Sequence, residues 1–312
     1  MNIIRMTGGL GNQMFAYALL LKFRSMGVEC MIDDYTEYTA HDNRRPLFLK
    51  DAFGIDYPVA SKKAYNEFTD SSMMPHRRFA RMIRGRKSRE YHEKSLEFDP
   101  KILTLDNAYL TGYFQSDKYF SDIEKDVRES FTFTPDVVAG AEKILKDNGI
   151  DEALFAPAAE GGQRALSAPA SAAEPGTPVS LHVRRGDYLN VSEVYGGICT
   201  DEYYRKATDY ISEHVKNPVF LIFSNDTKWC NDRAKGMFGE MKYHIIEGTE
   251  ESNGYIDMYL MSRCSHNILA NSSFSWWGAY LNSHPDRIVL APSRWDNVNV
   301  HEDIYTEYMT RI

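Results

Sequence analysis

The sequence predicts an α/β protein of two domains, and three observations carry that prediction. Apolar strand-like runs alternate with helical stretches in both halves. Polar or glycine-rich clusters follow the strands, which is where open α/β sheets bind their ligands. Residues 151–178 shift abruptly to Ala, Pro, Gly and Ser, a composition that buries too little apolar surface to order itself. That segment reads as a linker or insertion between a domain at 1–150 and a domain at 179–312.

Residues 2–6 read as a strand, Thr7-Gly8-Gly9-Leu10-Gly11-Asn12 as a glycine turn, and residues 13–26 as a helix stopped by Gly27. Glycines in such a turn let the backbone approach a ligand, and a helix N-terminus favours an anion. The same residues equally make a tight structural turn with Asn12 as the cap. The dinucleotide fingerprint is incomplete, because Met14 stands where a third glycine would be. Residues 28–32 form the next strand and end at Asp33 and Asp34, each a general base or a solvated loop acid. Arg44, Arg45 and Pro46 turn the chain into a short ordered segment.

Between His76 and Lys94 lies a basic run of Arg77, Arg78, Arg81, Arg84, Arg86, Lys87 and Arg89. It reads either as a solvated helix or as an amphipathic one striped by Phe79, Met82 and Ile83. The second form suits peripheral docking on anionic membrane lipid or on a phosphate-bearing acceptor. A strand at 108–110 then runs into Gly112-Tyr113-Phe114-Gln115-Ser116, and residues 121–130 and 135–148 are helices.

The second half opens with Val179-Ser180-Leu181-His182-Val183-Arg184-Arg185-Gly186-Asp187-Tyr188. Strand parity sends Val179, Leu181 and Val183 to one face and His182 with Arg184 to the other, with Arg185 opposed to them. A guanidinium at a strand end suits a nucleotide diphosphate; alternatively Arg184, Arg185 and Asp187 form a structural ion cluster. Residues 201–215 read as a helix, 218–223 as a buried strand ending at Ser224-Asn225-Asp226, 243–246 as a strand and 255–262 as a helix. A strand at 266–270 leads through Asn271-Ser272-Ser273-Phe274-Ser275 into a helix at 276–281, and 288–291 is a last strand. A parallel, doubly wound sheet brings all three polar clusters to one edge, and this convergence favours a phosphorylated nucleotide over the ion cluster.

Composition narrows the class. A net charge of -8 argues against nucleic-acid binding, which needs a basic footprint. Cys30, Cys199, Cys230 and Cys264 show no paired spacing, so neither a disulfide framework nor zinc is expected and a reducing cytoplasm fits. The apolar start is broken by Gly8, Gly9 and Gly11, and the expectation is a soluble protein made without an export signal.

Four stretches, taken together and in order, resemble the bacterial branch of the α-1,2-fucosyltransferase family, family 11-like inverting enzymes that use GDP-fucose. They are Gly8-Gly9-Leu10-Gly11-Asn12-Gln13-Met14-Phe15, Gly112 to Ser116, His182 to Tyr188, and Ala270-Asn271-Ser272-Ser273-Phe274-Ser275-Trp276-Trp277-Gly278-Ala279. The resemblance implies a GT-B-like fold of two Rossmann-like domains with a cleft between them, the donor held by the C-terminal one and the acceptor, a β-galactoside, on the N-terminal side. No cofactor and no metal are implied. The chain departs from the family pattern at Phe114, where Trp is usual, and in the length of 151–178.

Bond breaking puts negative charge on the diphosphate, and a fixed cation can stabilise it. Arg184 is the candidate, helped by Ser272 and Ser273 within the Asn271–Phe274 loop. By resemblance, His182 contacts the nucleotide. Arg185 and Asp187 are expected to pair and shape the motif, and Asp226 or Asp257 to accept from the guanine edge. A single displacement needs only deprotonation of the acceptor hydroxyl, for which Asp33, Asn12 and Glu193 are the candidates.

Overall fold

A computed structural model describes residues 1–38, 46–69, 75–85, 88–155 and 176–312, without the side chains of Arg77, Asp187, Leu189 and Asn190. The expected turn at Arg44 and Arg45, the cations Arg86 and Lys87, the side chain of Asp187 and most of 151–178 lie outside the described residues. The chain forms two compact units, Met1–Thr134 with Asn299–Thr306, and Pro135–Val298 with Glu307–Ile312. The division therefore precedes the expected one at 150. The helix Pro135–Asp147 packs on the helix Tyr255–Arg263. Just beyond it, Asn148 exchanges two hydrogen bonds with the Glu247 backbone, at 2.9 and 3.0 Å.

In the first unit, β1 (Asn2–Arg5), β2 (Cys30–Asp33), β3 (Glu90–His92) and β4 (Tyr109–Thr111) make a parallel sheet in the order β2-β1-β4-β3. The helix Leu10–Ser25 is buried on nearly all sides, with Met14, Phe15, Leu19, Leu20 and Phe23 in the core. Such a helix is apolar all round because it is enclosed, and each large side chain it buries contributes about 1.5–3 kcal/mol. It starts earlier than expected because the turn is completed at Gly8, whose φ of +77° is left-handed. A Cβ there would also meet Asn12 Nδ2 at 2.4 Å.

In the second unit, β5 (Thr177–Val183), β6 (Pro218–Ser224), β7 (Lys242–Ile245), β8 (His266–Ile268), β9 (Val289–Ala291) and β10 (Met309–Arg311) form a parallel sheet in the order β10-β9-β8-β5-β6-β7. Val179, Leu181 and Val183 join Phe220 and Ile222 and, from the helix Asp201–His214, Tyr204, Ala207 and Ile211 in one core. On the opposite face Ser180 accepts a 2.7 Å bond from Asn267, whose side chain also reaches the Met261 carbonyl at 2.9 Å. The segment expected to be a linker is ordered at both ends. Thr177 already pairs with Pro218, and Glu152–Phe155 is a 3-10 turn that buries Phe155.

The topology sets the positions of the polar clusters. From β5 the chain runs outward to β6 and β7, then crosses back to lay β8 on the other side of β5. The carboxyl ends of β5 and β8 thus flank a topological switch point, where an open α/β sheet leaves a crevice. The first unit has its switch between β1 and β4. Two Rossmann-like units, each with a parallel sheet, are what the family resemblance implies for a GT-B-like fold. No described helix is long and apolar enough to cross a membrane.

Candidate functional site

At the switch point of the second unit, β5 delivers His182 and Arg184 to one place. His182 is 4% exposed and its Nδ1 has no hydrogen-bond partner. Burial, and then the charge of Arg184, pushes its pKa down to about 3, so the imidazole is neutral at working pH. Its ring lies 5.5 Å from Phe274. The Arg184 guanidinium sits 5.6 Å from the Tyr188 ring, which itself stacks on Tyr195 at 4.4 Å. Tyr188 also donates to the Asn271 carbonyl at 2.9 Å, tying the arginine loop to the serine loop.

That serine loop is built as a helix start. Ser272 caps the helix Ser273–Leu281 by accepting from the Phe274 N–H, so the helix begins earlier than the expected residue 276. Asn271 is a strut: its Nδ2 donates to the Trp295 carbonyl at 3.0 Å and its Oδ1 accepts from Cys199 at 3.4 Å. The N-terminus of a helix favours an anion, and this one follows β8, the neighbour of β5 in the sheet.

Arg185 behaves differently. Its N–H donates to Asn225 at 3.0 Å, its Nε donates to Asp226 at 3.3 Å, and its guanidinium lies 4.3 Å from the Trp229 ring. Asp226 meanwhile caps the helix Thr227–Phe238 through the Trp229 N–H at 3.0 Å. A described partner of Arg185 is Asp226, whose two oxygens each accept one bond in this corner; the Asp187 side chain lies outside the described residues. The reason is register: Val183 pairs with Ser224, so the residues that follow the two strands lie side by side.

Asp257 opens the helix Tyr255–Arg263, which packs against β5. Its Oδ2 accepts from Thr249 at 3.0 Å while Oδ1 is buried without a partner. Burial raises its pKa to about 7, against the Thr249 bond.

The carboxyl edge of the first unit gathers another set. Gln115 donates to Asn12 at 2.8 Å across the β1–β4 switch, and Tyr38 donates to the Gly8 carbonyl at 2.6 Å. Asp33 is 2% exposed and accepts four bonds, from the Tyr35 and Thr36 N–H groups, the Thr36 hydroxyl and the Tyr109 hydroxyl. Glu93, just past β3, accepts from the Tyr113 and Phe114 N–H groups at 2.7 and 3.0 Å, one on each oxygen. Burial raises its pKa to about 7 against those two bonds. A Cβ on Gly112 would lie 2.5 Å from that of Glu93, which is why the loop needs glycine there. Phe114 is buried, with a left-handed φ of +51°. Among the described residues no three His, Cys, Asp or Glu side chains gather as a metal cluster.

Residues 158–310 match glycosyl transferase family 11. Over 94% of its length the chain is 30% identical to an alpha-1,2-colitosyltransferase of Escherichia coli, covering 91% of that protein. The chain belongs to glycosyl transferase family 11. It is 29% identical to the O-antigen biosynthesis glycosyltransferase WbnK of Escherichia coli, covering 93% of each. With galactoside alpha-(1,2)-fucosyltransferase 2 of Hylobates lar it shares 26% identity over 92% of this chain and 71% of the relative. Among solved structures, POFUT1 in complex with GDP-fucose aligns at 11% identity and a TM-score of 0.46, over 93% of this chain and 97% of that one.

Within this family 11 chain, the structure brings together His182, Arg184, Ser272, Ser273 and Phe274, and the second unit also holds Asp257. Asn271 and Asp226 make scaffold hydrogen bonds, and Arg185 braces the loop, as expected, but on Asp226. In the first unit, four donors fill the roughly four lone-pair sites of the Asp33 carboxylate, so it cements the end of β2. Asn12 is engaged by Gln115, and Glu193 is exposed. Glu93 was missed from sequence because its strand is three residues long and follows the basic run directly. The only available signal was a carboxylate shortly before the Gly112 to Ser116 motif.

Proposed function

We propose that this family 11 glycosyltransferase moves L-fucose from GDP-fucose to the 2-hydroxyl of a terminal β-galactoside, with inversion and without a metal. The observation that carries the reading is the switch point of the second unit, where the buried His182 ring lies 5.5 Å from Phe274 of the serine loop and Tyr188 ties the Arg184 loop to Asn271; His182 Nδ1 and Asp257 Oδ1 are among the buried atoms of this unit without a protein partner. A buried polar group without a protein partner needs a partner from elsewhere, water or ligand. A purine edge with N–H donors suits the Asp257 carboxylate, and a neutral imidazole suits a polar group of the nucleotide.

In this reading, Arg184 and the N-terminus of the helix Ser273–Leu281 stabilise the charge that grows on the leaving diphosphate. Tyr188 holds the guanidinium in place, and Arg185 with Asp226 braces the loop. As proton acceptor we assign Glu93, in preference to Asp33, Asn12 or Glu193. Each Glu93 oxygen keeps a lone pair after its one N–H bond, and a base works best with a pKa near the operating pH.

The test is GDP release from GDP-fucose with β-galactosides of different terminal disaccharides, with EDTA present, and with the product linkage read by NMR. Turnover giving an α-1,2 product supports the reading. GDP binding without turnover would make the chain a nucleotide-binding protein of this fold, and a different linkage would reassign the acceptor. A second donor is favoured by the likeness to the alpha-1,2-colitosyltransferase. Supplying nucleotide-linked colitose beside GDP-fucose, and comparing kcat/KM, separates the two.

A further inference from the structure

Part of the basic run lies on a helix to which the proposed transfer assigns no step. The helix Pro75–Ile83 exposes Phe79, Met82 and Ile83 at 66%, 63% and 72%. These positions are spaced i, i+3 and i+4, so the three side chains share one face. Singly scattered apolar residues are ordinary on a protein surface, but a contiguous stripe of large ones marks an interaction site. Arg78 stands about 40° around the axis from Met82 and is exposed, as is Arg84, just past the helix end. Arg89 is not part of this surface, since it pairs with Glu67 at 3.2 Å and covers the Phe68 ring.

We propose that this helix docks the protein on membranes rich in anionic lipid. Phe79, Met82 and Ile83 enter the headgroup boundary, with Arg78 and Arg84 held at the lipid phosphates. Two features of the surface select this occupant. The first is charge: the whole chain carries -8, so a local group of arginines beside an apolar stripe is complementary to an anionic surface and opposed to the protein's own balance. The second is size: three side chains of at most roughly 200 Å² each fall short of the about 800 Å² per partner of a stable protein interface. A shallow lipid contact has no such threshold, because apolar insertion and headgroup attraction act together. The inference stands independently of which sugar is transferred.

The experiment uses the full-length protein in flotation assays. Vesicles are phosphatidylcholine alone or phosphatidylcholine mixed with phosphatidylglycerol. Wild type is expected to float with the mixed vesicles and not with phosphatidylcholine, and added salt should weaken binding as the Debye length shortens. The variant Phe79→Ser, Met82→Ser, Ile83→Ser should bind about a thousandfold less well, at about tenfold per side chain. Arg78→Gln with Arg84→Gln should lose about twentyfold, from about fivefold per cation. All these side chains are exposed, so circular dichroism and turnover on a soluble acceptor should match wild type.

A Phe79→Trp reporter should shift its emission to the blue on mixed vesicles only. Equal binding to both vesicle types, or retention by the triple-serine variant, would overturn the proposal. So would a wild-type dimer that the triple variant converts to a monomer, since that would make a second copy the occupant.

Discussion

Asp257 offers the sharpest test of the nucleotide site. A carboxyl with a pKa of about 7 is roughly one-eleventh ionised at pH 6 and ten-elevenths at pH 8. If the carboxylate accepts from a guanine N–H, GDP binds only the ionised form, and the proton must leave on binding. The sign follows: affinity for GDP rises with pH, about tenfold between pH 6 and 8, and levels off above. Asp257→Asn removes the titration. Its affinity at pH 8 should fall about ten- to a hundredfold, the scale of losing a hydrogen bond to a charged group, and its profile should flatten relative to wild type. Calorimetry in buffers of different ionisation enthalpy gives a second readout, with wild type releasing about half a proton at pH 7. Ionisation of the GDP phosphate is common to both proteins and cancels in their ratio. Parallel pH profiles for wild type and Asp257→Asn would refute the assignment, and a wild-type affinity that falls with pH would mean that the protonated acid binds instead.

Other substitutions separate catalysis from scaffold. Arg184→Ala should lower kcat by about two to three orders of magnitude while circular dichroism is unchanged; normal turnover would remove the central assignment. Glu93→Gln should abolish the rise of kcat/KM with pH centred near 7 and leave GDP affinity intact. The same raised pKa has a stability consequence of opposite sense. The folded Glu93 binds its proton more tightly than the unfolded one, so its contribution is present below about pH 4.5 and is lost as pH rises through 7. Asp33→Asn leaves buried donors short of acceptors and should cost about 2–3 kcal/mol in denaturant unfolding. An Asp33→Asn protein of wild-type stability but low turnover would return the base role to Asp33.

Much of the second unit is legible before any coordinates. Strand parity separates His182 and Arg184 from the core-facing Val179, Leu181 and Val183, because period-2 alternation is local. The buried strand at Pro218–Ser224 and the serine loop after β8 follow from equally local patterns. Contacts between segments distant in the chain are not written in those patterns. That Arg185 pairs with Asp226, 41 positions away, depends on β5 and β6 lying in register. That Asp33 is a fully satisfied strut depends on Tyr109 arriving from β4, 76 positions on.

By itself, then, the sequence determined the α/β class, the family resemblance and the strand end where charge meets the sheet. These rest on short-range periodicity and on motifs read within a few residues. Only the tertiary structure decided which polar groups are spent and which are left over. It tied Asp33, Asn271 and Asp226 into the scaffold and left His182 Nδ1 and Asp257 Oδ1 among the buried atoms without a protein partner. It also moved the unit boundary to Thr134 and showed β3 and β10, strands of three residues each. The physical reason is common to all of these. A hydrogen bond needs two partners within about 3 Å, and the fold, through strand order and register, chooses which distant residues come that close.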